Sequence, residues 1–76
     1  MVRFEVGKSY YAADSRFDPV EVIKRTEKMI LVKGYAGNSW RMRIKEKDGS
    51  EYCVDSSVPK KWQPLYEYNA KWKVEE

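Results

Sequence analysis

The segment Trp40–Lys45, which reads Trp-Arg-Met-Arg-Ile-Lys, alternates apolar and basic side chains without a break. Successive side chains of a β-strand point to opposite faces of the sheet, so this spacing predicts a half-buried strand. The apolar members then face the core, and the outer face carries three cations: Arg41, Arg43 and Lys45. A register slip of one residue would turn these cations inward at high cost, which disfavours the slip.

Further strands are predicted on both sides of this segment. Residues 10–12, 20–26, 29–32 and 51–54 are rich in strand-forming residues, and residues 66–75 alternate again. Turn residues at 36–39 and the pair Asp48-Gly49 indicate hairpins. No ten-residue stretch has helical periodicity, and residues 56–62 suit one 3-10 turn. The predicted fold is all-β: a small SH3-like barrel of five to six antiparallel strands with a short 3-10 turn.

The composition limits the class of protein. A chain of 76 residues has room for one domain, residues 1–76, in which 65–76 is a terminal strand or a tail. Fifteen Lys and Arg against twelve Asp and Glu give a net charge of +3, which permits a polyanionic partner without requiring one. The opening residues lack the apolar core of a signal peptide, and no segment approaches the ~20 apolar residues of a membrane span. With its single Cys53, the chain is expected to be cytoplasmic, without contact with a membrane.

A second apolar face is predicted on the outside of the sheet. Ile23, Met29 and Leu31 lie on it, and a one-sided sheet does not need them there. The terminal segment would cover this face with Trp72 and Val74. Without that cover the face would be a dimer interface, so a monomer and a homodimer both stay open.

The sequence offers few residues that could form a catalytic site or a metal site. It contains no His, so an ordinary Ser or Cys nucleophile has no base, and the usual zinc ligand sets are missing. The loop carboxylates show no sign of the burial that would shift a pKa for acid–base work. Cys53 is expected to act as a small apolar group, with a reactive thiol as the alternative. The sequence therefore predicts a binding protein without a cofactor, not an enzyme.

The outer surface of the hairpin strands is the first predicted site. Cations beside an aromatic ring suit single-stranded nucleic acid, because the phosphates take the charge and the bases stack. The predicted nucleic-acid-binding residues are Arg25, Lys33, Tyr35, Arg41, Arg43 and Lys45. In the alternative interpretation, Glu21, Glu27 and Glu51 pair with these cations and only keep the sheet soluble.

A groove for a protein partner is the second predicted site, by analogy with SH3-like barrels that bind peptides between aromatic side chains. The residues predicted to line it are Tyr10, Tyr11, Phe17 and Trp40. They lie beside the predicted loop 14–19, where Asp14 and Asp18 would favour a basic peptide. Trp62 and Trp72, each flanked by Lys, could also clamp a peptide or a base, or else belong to the core or a lid.

Two short motifs resemble a group of small proteins common in bacterial phage and conjugative elements. The motifs are Phe4-x-Val6-Gly7-Lys8-x-Tyr10 and Arg25-Thr26-x-Lys28, and the similarity runs through the hairpins to Tyr52-Cys53. The resemblance implies a small β-barrel from a mobile element, for which a protein partner would come from the host or the element. It transfers no catalytic or binding residue, because the group is largely without assigned activity. The charged segment 66–76 departs from its pattern.

Overall fold

The computed structural model describes residues 1–75 as seven strands and one 3-10 helix. The elements are β1 (Ser9–Ala12), β2 (Val20–Arg25), β3 (Met29–Lys33), β4 (Ser39–Arg43), β5 (Lys45–Lys47), β6 (Ser50–Val54), the 3-10 helix (Lys60–Tyr66) and β7 (Glu67–Lys73). The strands pair antiparallel in the order β4-β3-β2-β1-β7-β6-β5. The predicted all-β barrel with a short 3-10 turn is confirmed.

One bent segment joins the two ends of the sheet. Only Ile44 separates β4 from β5, so the strand predicted at residues 40–45 is bent, and seven strands replace the predicted five to six. β4 pairs with β3 at one end of the sheet, and β5 pairs with β6 at the other. Because β4 and β5 are consecutive, the bend brings these ends together and shapes the barrel.

The predicted inner and outer faces of β4 are confirmed. Met42 is buried and Trp40 and Ile44 pack against the core, whereas Arg41 and Arg43 are exposed. The buried apolar side chains are Phe4, Tyr10, Ala12, Val20, Val22, Ile30, Val32, Met42, Cys53, Tyr68 and Ala70. The alternation of apolar and basic residues therefore predicts correctly which side of β4 faces the core.

A β-bulge in β2 changes which of its side chains reach the outside. The register with β3 shifts at Ile23, before Lys24 pairs with Leu31. A bulge adds one residue to its strand and so reverses the alternation beyond it. Ile23 and Lys24 are both exposed, while Arg25 pairs with the buried Ile30 and turns inward.

The inward Arg25 forms an ion pair with Glu51 of β6. Arg25 Nη1 donates to Glu51 Oε1 at 2.7 Å, and Nη2 donates to Oε2 at 3.0 Å. The side chains of Arg25 and Glu51 are only 17% and 3% exposed. The Phe4 N–H also donates to Glu51 Oε1 at 2.8 Å, and the Phe4 carbonyl accepts from Arg25 Nη1 at 2.8 Å. This network ties the amino-terminal segment to β2 and β6.

The terminal segment is a strand within the sheet. Residues 67–73 form β7 between β1 and β6, and residue 76 of the predicted segment lies outside the described residues. β1 and β2 lie between β7 and β3, and the side chains of Ile23 and Met29 remain exposed. The prediction that Trp72 and Val74 cover them is therefore wrong, because pairing with β1 and β6 holds the segment elsewhere.

We expect Cys53 to be unreactive in the folded protein. Its side chain is fully buried in β6, and burial raises the pKa of the thiol to about 12. A thiol-specific reagent at pH 8 should therefore leave the native protein unmodified and label it fully in concentrated urea, as read by mass spectrometry. Rapid labelling without urea would contradict this burial.

Candidate nucleic-acid interface

The outer side of β2, β3 and β4 carries cations around an apolar floor. Cross-strand pairing places Leu31 between Lys24 and Arg41, in one row across the three strands. The neighbouring row pairs Met29 with Arg43. We call the surface formed by Lys24, Met29, Leu31, Lys33, Arg41 and Arg43 the basic face.

A shallow depression of about 220 Å³ lies on the basic face. Its lining includes the apolar side chains of Met29 and Leu31 and the cations Lys24 and Arg41. An apolar surface flanked by cations can receive a base or a sugar while the cations contact the adjoining phosphates. The depression is therefore suited to an anionic chain with flat apolar groups.

No carboxylate neutralises the basic face within residues 1–75. The ion pairs of this part of the chain are Arg16–Asp14, Arg25–Glu51 and Lys73–Glu5. Glu21 is the cross-strand neighbour of Lys33, yet the two form no ion pair. The interpretation that carboxylates pair with the predicted cations is confirmed only for Glu51, which pairs with Arg25 inside the barrel. It is wrong for Glu21 and Glu27, which form no ion pair within residues 1–75.

Two of the predicted nucleic-acid-binding residues do not belong to the basic face. Arg25 borders the depression, but the bulge in β2 turns its guanidinium inward to Glu51, so the prediction of an outward Arg25 is wrong. Lys45 is exposed but lies beyond the bend, where it pairs with Tyr52 of β6 and lines a separate groove of about 380 Å³ with Lys60. The remaining cations, Lys33, Arg41 and Arg43, share the face as predicted.

Tyr35 lies at the tip of the hairpin that joins β3 to β4. Its side chain is 85% exposed, and it follows Lys33 of the basic face by two residues. The Gly34 N–H donates to the Asn38 carbonyl at 2.8 Å, which closes the hairpin below the ring. The positive φ of 88° at Gly37 is accessible to Gly and completes the turn. The hairpin thus places the exposed ring at one end of the basic face, where it is free to stack.

Lys24 is the member of the basic face that sequence reasoning missed. In a regular strand it would point toward the core like Val22, so the alternation predicts no surface role for it. The bulge at Ile23 turns it outward. A Lys at an inward position is itself a signal of irregular pairing, because burying its charge is costly.

The residues predicted for a protein-binding groove do not come together. Tyr10 is in the core, where its hydroxyl accepts a hydrogen bond from the Glu5 N–H at 2.7 Å. Trp40 packs against the core and lines a polar cleft beside residues 55–57. The prediction is wrong for these two because both lie on inward positions of their strands. Tyr11 is exposed, and Phe17 lines a different, apolar groove of about 330 Å³.

The described residues contain no group of three or more His, Cys, Asp and Glu side chains that could hold a metal ion. Within residues 1–75, no helix is long and apolar enough to cross a membrane.

Comparison of the chain with protein-family models, curated protein sequences and solved structures finds no match. The resemblance to small proteins of phage and conjugative elements therefore stays a prediction.

Proposed function

We propose that this protein is a non-enzymatic binding module that holds single-stranded nucleic acid on the basic face. The observation that carries the proposal is a group of four cations, none in an ion pair within residues 1–75, around an apolar floor of exposed Met29 and half-buried Leu31. Exposed apolar side chains beside unpaired cations favour a ligand with both phosphates and flat rings.

The spacing of the cations suits successive phosphates, and the apolar floor favours a single strand over a duplex. Arg41 and Arg43 are alternate residues of β4, about 6.6 Å apart along the strand, which is comparable with the separation of successive phosphates in an extended strand. Leu31 and Met29 lie beside them on β3 and offer an apolar surface to unpaired bases. A duplex would present its phosphates but keep its bases stacked, so the apolar floor would stay unused.

The form of the barrel is compatible with this role. We propose that it is SH3-like, because a bent strand joins the ends of the sheet and a 3-10 turn precedes the last strand. The exposed faces of such small barrels are available for binding, while the interior is filled by side chains. The mobile-element origin that the motifs imply is part of the same proposal.

We expect a labelled sample to show amide shifts on the basic face when a mixed-sequence single-stranded oligonucleotide is added. The shifts should map to residue 24, residues 29–35 and residues 39–43. If each of the four cations contacts one phosphate, log affinity should fall with log salt with a slope of about −2.8, since each phosphate of a single strand contributes about −0.7. A two-dimensional amide spectrum recorded through the titration, at low and at physiological salt, measures both quantities.

The same titration with a duplex of the same sequence is the control. We expect weaker binding, because the bases cannot reach Met29 and Leu31. Absence of shifts with either oligonucleotide at low salt would exclude the proposal. Shifts restricted to residues outside β2, β3 and β4 would remove the basic face as the site.

A further inference from the structure

The groove of about 380 Å³ beyond the bend lies on the outer side of β5 and β6, beside the 3-10 helix. β5 and β6 contribute most of its lining, and the helix adds one further cation. We call the surface formed by Lys45, Lys47, Tyr52, Lys60 and Glu67 the lysine groove. None of these residues belongs to β2, β3 or β4, so the lysine groove and the basic face are two distinct surfaces.

The lysine groove carries a net positive charge. Its three lysines stand against one carboxylate, that of Glu67, and none of these four side chains forms an ion pair within residues 1–75. Lys47 Nζ lies 5.1 Å from the centroid of the Tyr52 ring, a cation–π contact that keeps this ammonium group at the groove. Glu46, between the two lysines of β5, lies on the other side of the strand and lines a different cavity with Glu51. The lysine groove is therefore suited to phosphates.

One continuous segment, residues 41–47, joins the basic face to the lysine groove. Every second residue of this segment is an exposed cation: Arg41, Arg43, Lys45 and Lys47. Between them, Met42 is buried and Ile44 packs against the core, so the cations share the outer side on both sides of the bend. Alternate residues of a strand are about 6.6 Å apart, which spreads the four cations over at most about 20 Å of chain. An anionic chain that passes Arg43 therefore meets further cations.

We infer that a single strand held on the basic face continues past Ile44 into the lysine groove, so that one nucleic-acid chain contacts both surfaces. This inference rests on the proposed function and extends it. Four cations of the basic face and three of the lysine groove then contact about seven successive phosphates, within the roughly 4–16 nucleotides that a small nucleic-acid-binding barrel covers. The preferred ligand is therefore a stretch of about eight unpaired nucleotides, not a short end.

The bend in this path favours a flexible ligand. A DNA duplex has a persistence length of about 50 nm, so it stays nearly straight over a protein whose longest dimension is 28 Å. A duplex on the basic face would therefore pass the lysine groove without entering it. A single strand turns easily at Ile44, and the lysine groove thus adds to the discrimination that the apolar floor provides.

Other anionic ligands use less of the two surfaces. A free phosphate could lie beside the lysines, but it cannot also reach Arg41. An acidic peptide could extend from Arg41 to Lys47, yet it lacks the flat rings that suit the apolar floor at Met29 and Leu31. A polynucleotide supplies the rings and the regularly spaced charges together.

Oligothymidylates of four and eight nucleotides, each with a 5′-phosphate, test the inference. The tetranucleotide can fill only the basic face, whereas the octanucleotide reaches both surfaces and makes the second contact intramolecularly. We expect the octanucleotide to bind at least about tenfold more tightly at low salt, with a salt slope of about −4.9 instead of −2.8, because seven phosphates are neutralised instead of four. Amide shifts at residues 45–47, 52 and 60–63 should appear with the octanucleotide only.

A variant of the lysine groove separates this path from a general effect of length. Lys45→Gln with Lys60→Gln removes two charges at exposed positions, so it should weaken the octanucleotide about tenfold and reduce its slope to about −3.5. The same variant should bind the tetranucleotide as the original protein does. Lys8→Gln with Lys71→Gln is the matched control, because it removes two exposed lysines that line neither surface and should leave both affinities nearly unchanged at physiological salt.

The outcomes distinguish failure of this inference from failure of the proposed function. Equal affinity for the two oligonucleotides, or octanucleotide binding that does not respond to Lys45→Gln with Lys60→Gln, would overturn the inference and leave the basic face as the site. Absence of binding at either length would exclude both. Shifts at the lysine groove without shifts on the basic face would contradict a continuous path. Tighter binding of a deca-glutamate peptide than of the octanucleotide would assign the lysine groove to an acidic polypeptide.

Discussion

Replacement of Glu51 by Ala should lower the free energy of unfolding by about 3–5 kcal/mol, because it leaves the buried guanidinium of Arg25 without its carboxylate. The Phe4 N–H loses the same acceptor. A domain of this length has a total stability of roughly 4–11 kcal/mol, so the variant should be partly or largely unfolded at 25 °C. Urea denaturation followed by circular dichroism measures the change.

Glu46→Ala is the matched control for this loss. Glu46 lies directly across from Glu51 in the β5–β6 pair but is exposed, so its removal should change the stability by less than about 0.5 kcal/mol. A double replacement of Arg25 and Glu51 by Met and Leu should recover much of the stability, since no charge is then left buried. Equal stabilities of the Glu46 and Glu51 variants would show that the ion pair does not hold the barrel together.

The Glu51 site should also make stability depend on pH. Burial alone would raise the pKa of Glu51, but hydrogen bonds from Arg25 and the Phe4 N–H outweigh it and hold the pKa below the ordinary value of 4.5. A carboxylate with a lowered folded-state pKa contributes its stability above pH 4.5 and loses it as the pH falls through the folded-state value. The original protein should therefore lose more stability below pH 4.5 than Glu51→Gln does.

Reversal of two charges on the basic face, Arg41→Glu with Arg43→Glu, should weaken single-stranded oligonucleotide binding about a hundredfold or more at low salt. Two attractive contacts become repulsive, and the salt slope should fall from about −2.8 to about −1.4 or less, because only two cations remain. Both side chains are exposed, so the fold should persist. Fluorescence anisotropy of a labelled oligonucleotide across a salt series gives affinity and slope together.

Lys8→Glu with Lys71→Glu is the matched control, because it makes the same change in net charge at two exposed positions away from the basic face. This variant should retain most of the affinity at physiological salt, where charges beyond about 8 Å are screened. If both double variants lost affinity equally, binding would depend on net charge rather than on the arrangement of Arg41 and Arg43.

The features that follow from short stretches of sequence were predicted correctly. The alternation of residues 40–45 places Met42 in the core and Arg41 outside, because the period of a strand is a local property of its backbone. The Asp48-Gly49 pair predicts its hairpin for the same reason, and both residues have the positive φ that such a turn needs, 54° and 75°. The sequence thus predicts the fold class. It also predicts that Lys33, Arg41 and Arg43 share the outer face.

Only the tertiary structure decides where Arg25, Lys24 and Lys45 lie. The bulge in β2 turns Arg25 inward and Lys24 outward. The bend at Ile44 separates Lys45 from Arg43. The bulge places Arg25 beside Glu51, 26 positions away in the sequence. An apolar groove likewise joins residue 17 to residues near 62. The sequence by itself determined where the strands lie and, in the regular strands, which side chains face the core. Barrel closure decided the bulge and the bend, because the residues that pair there are distant from one another along the chain.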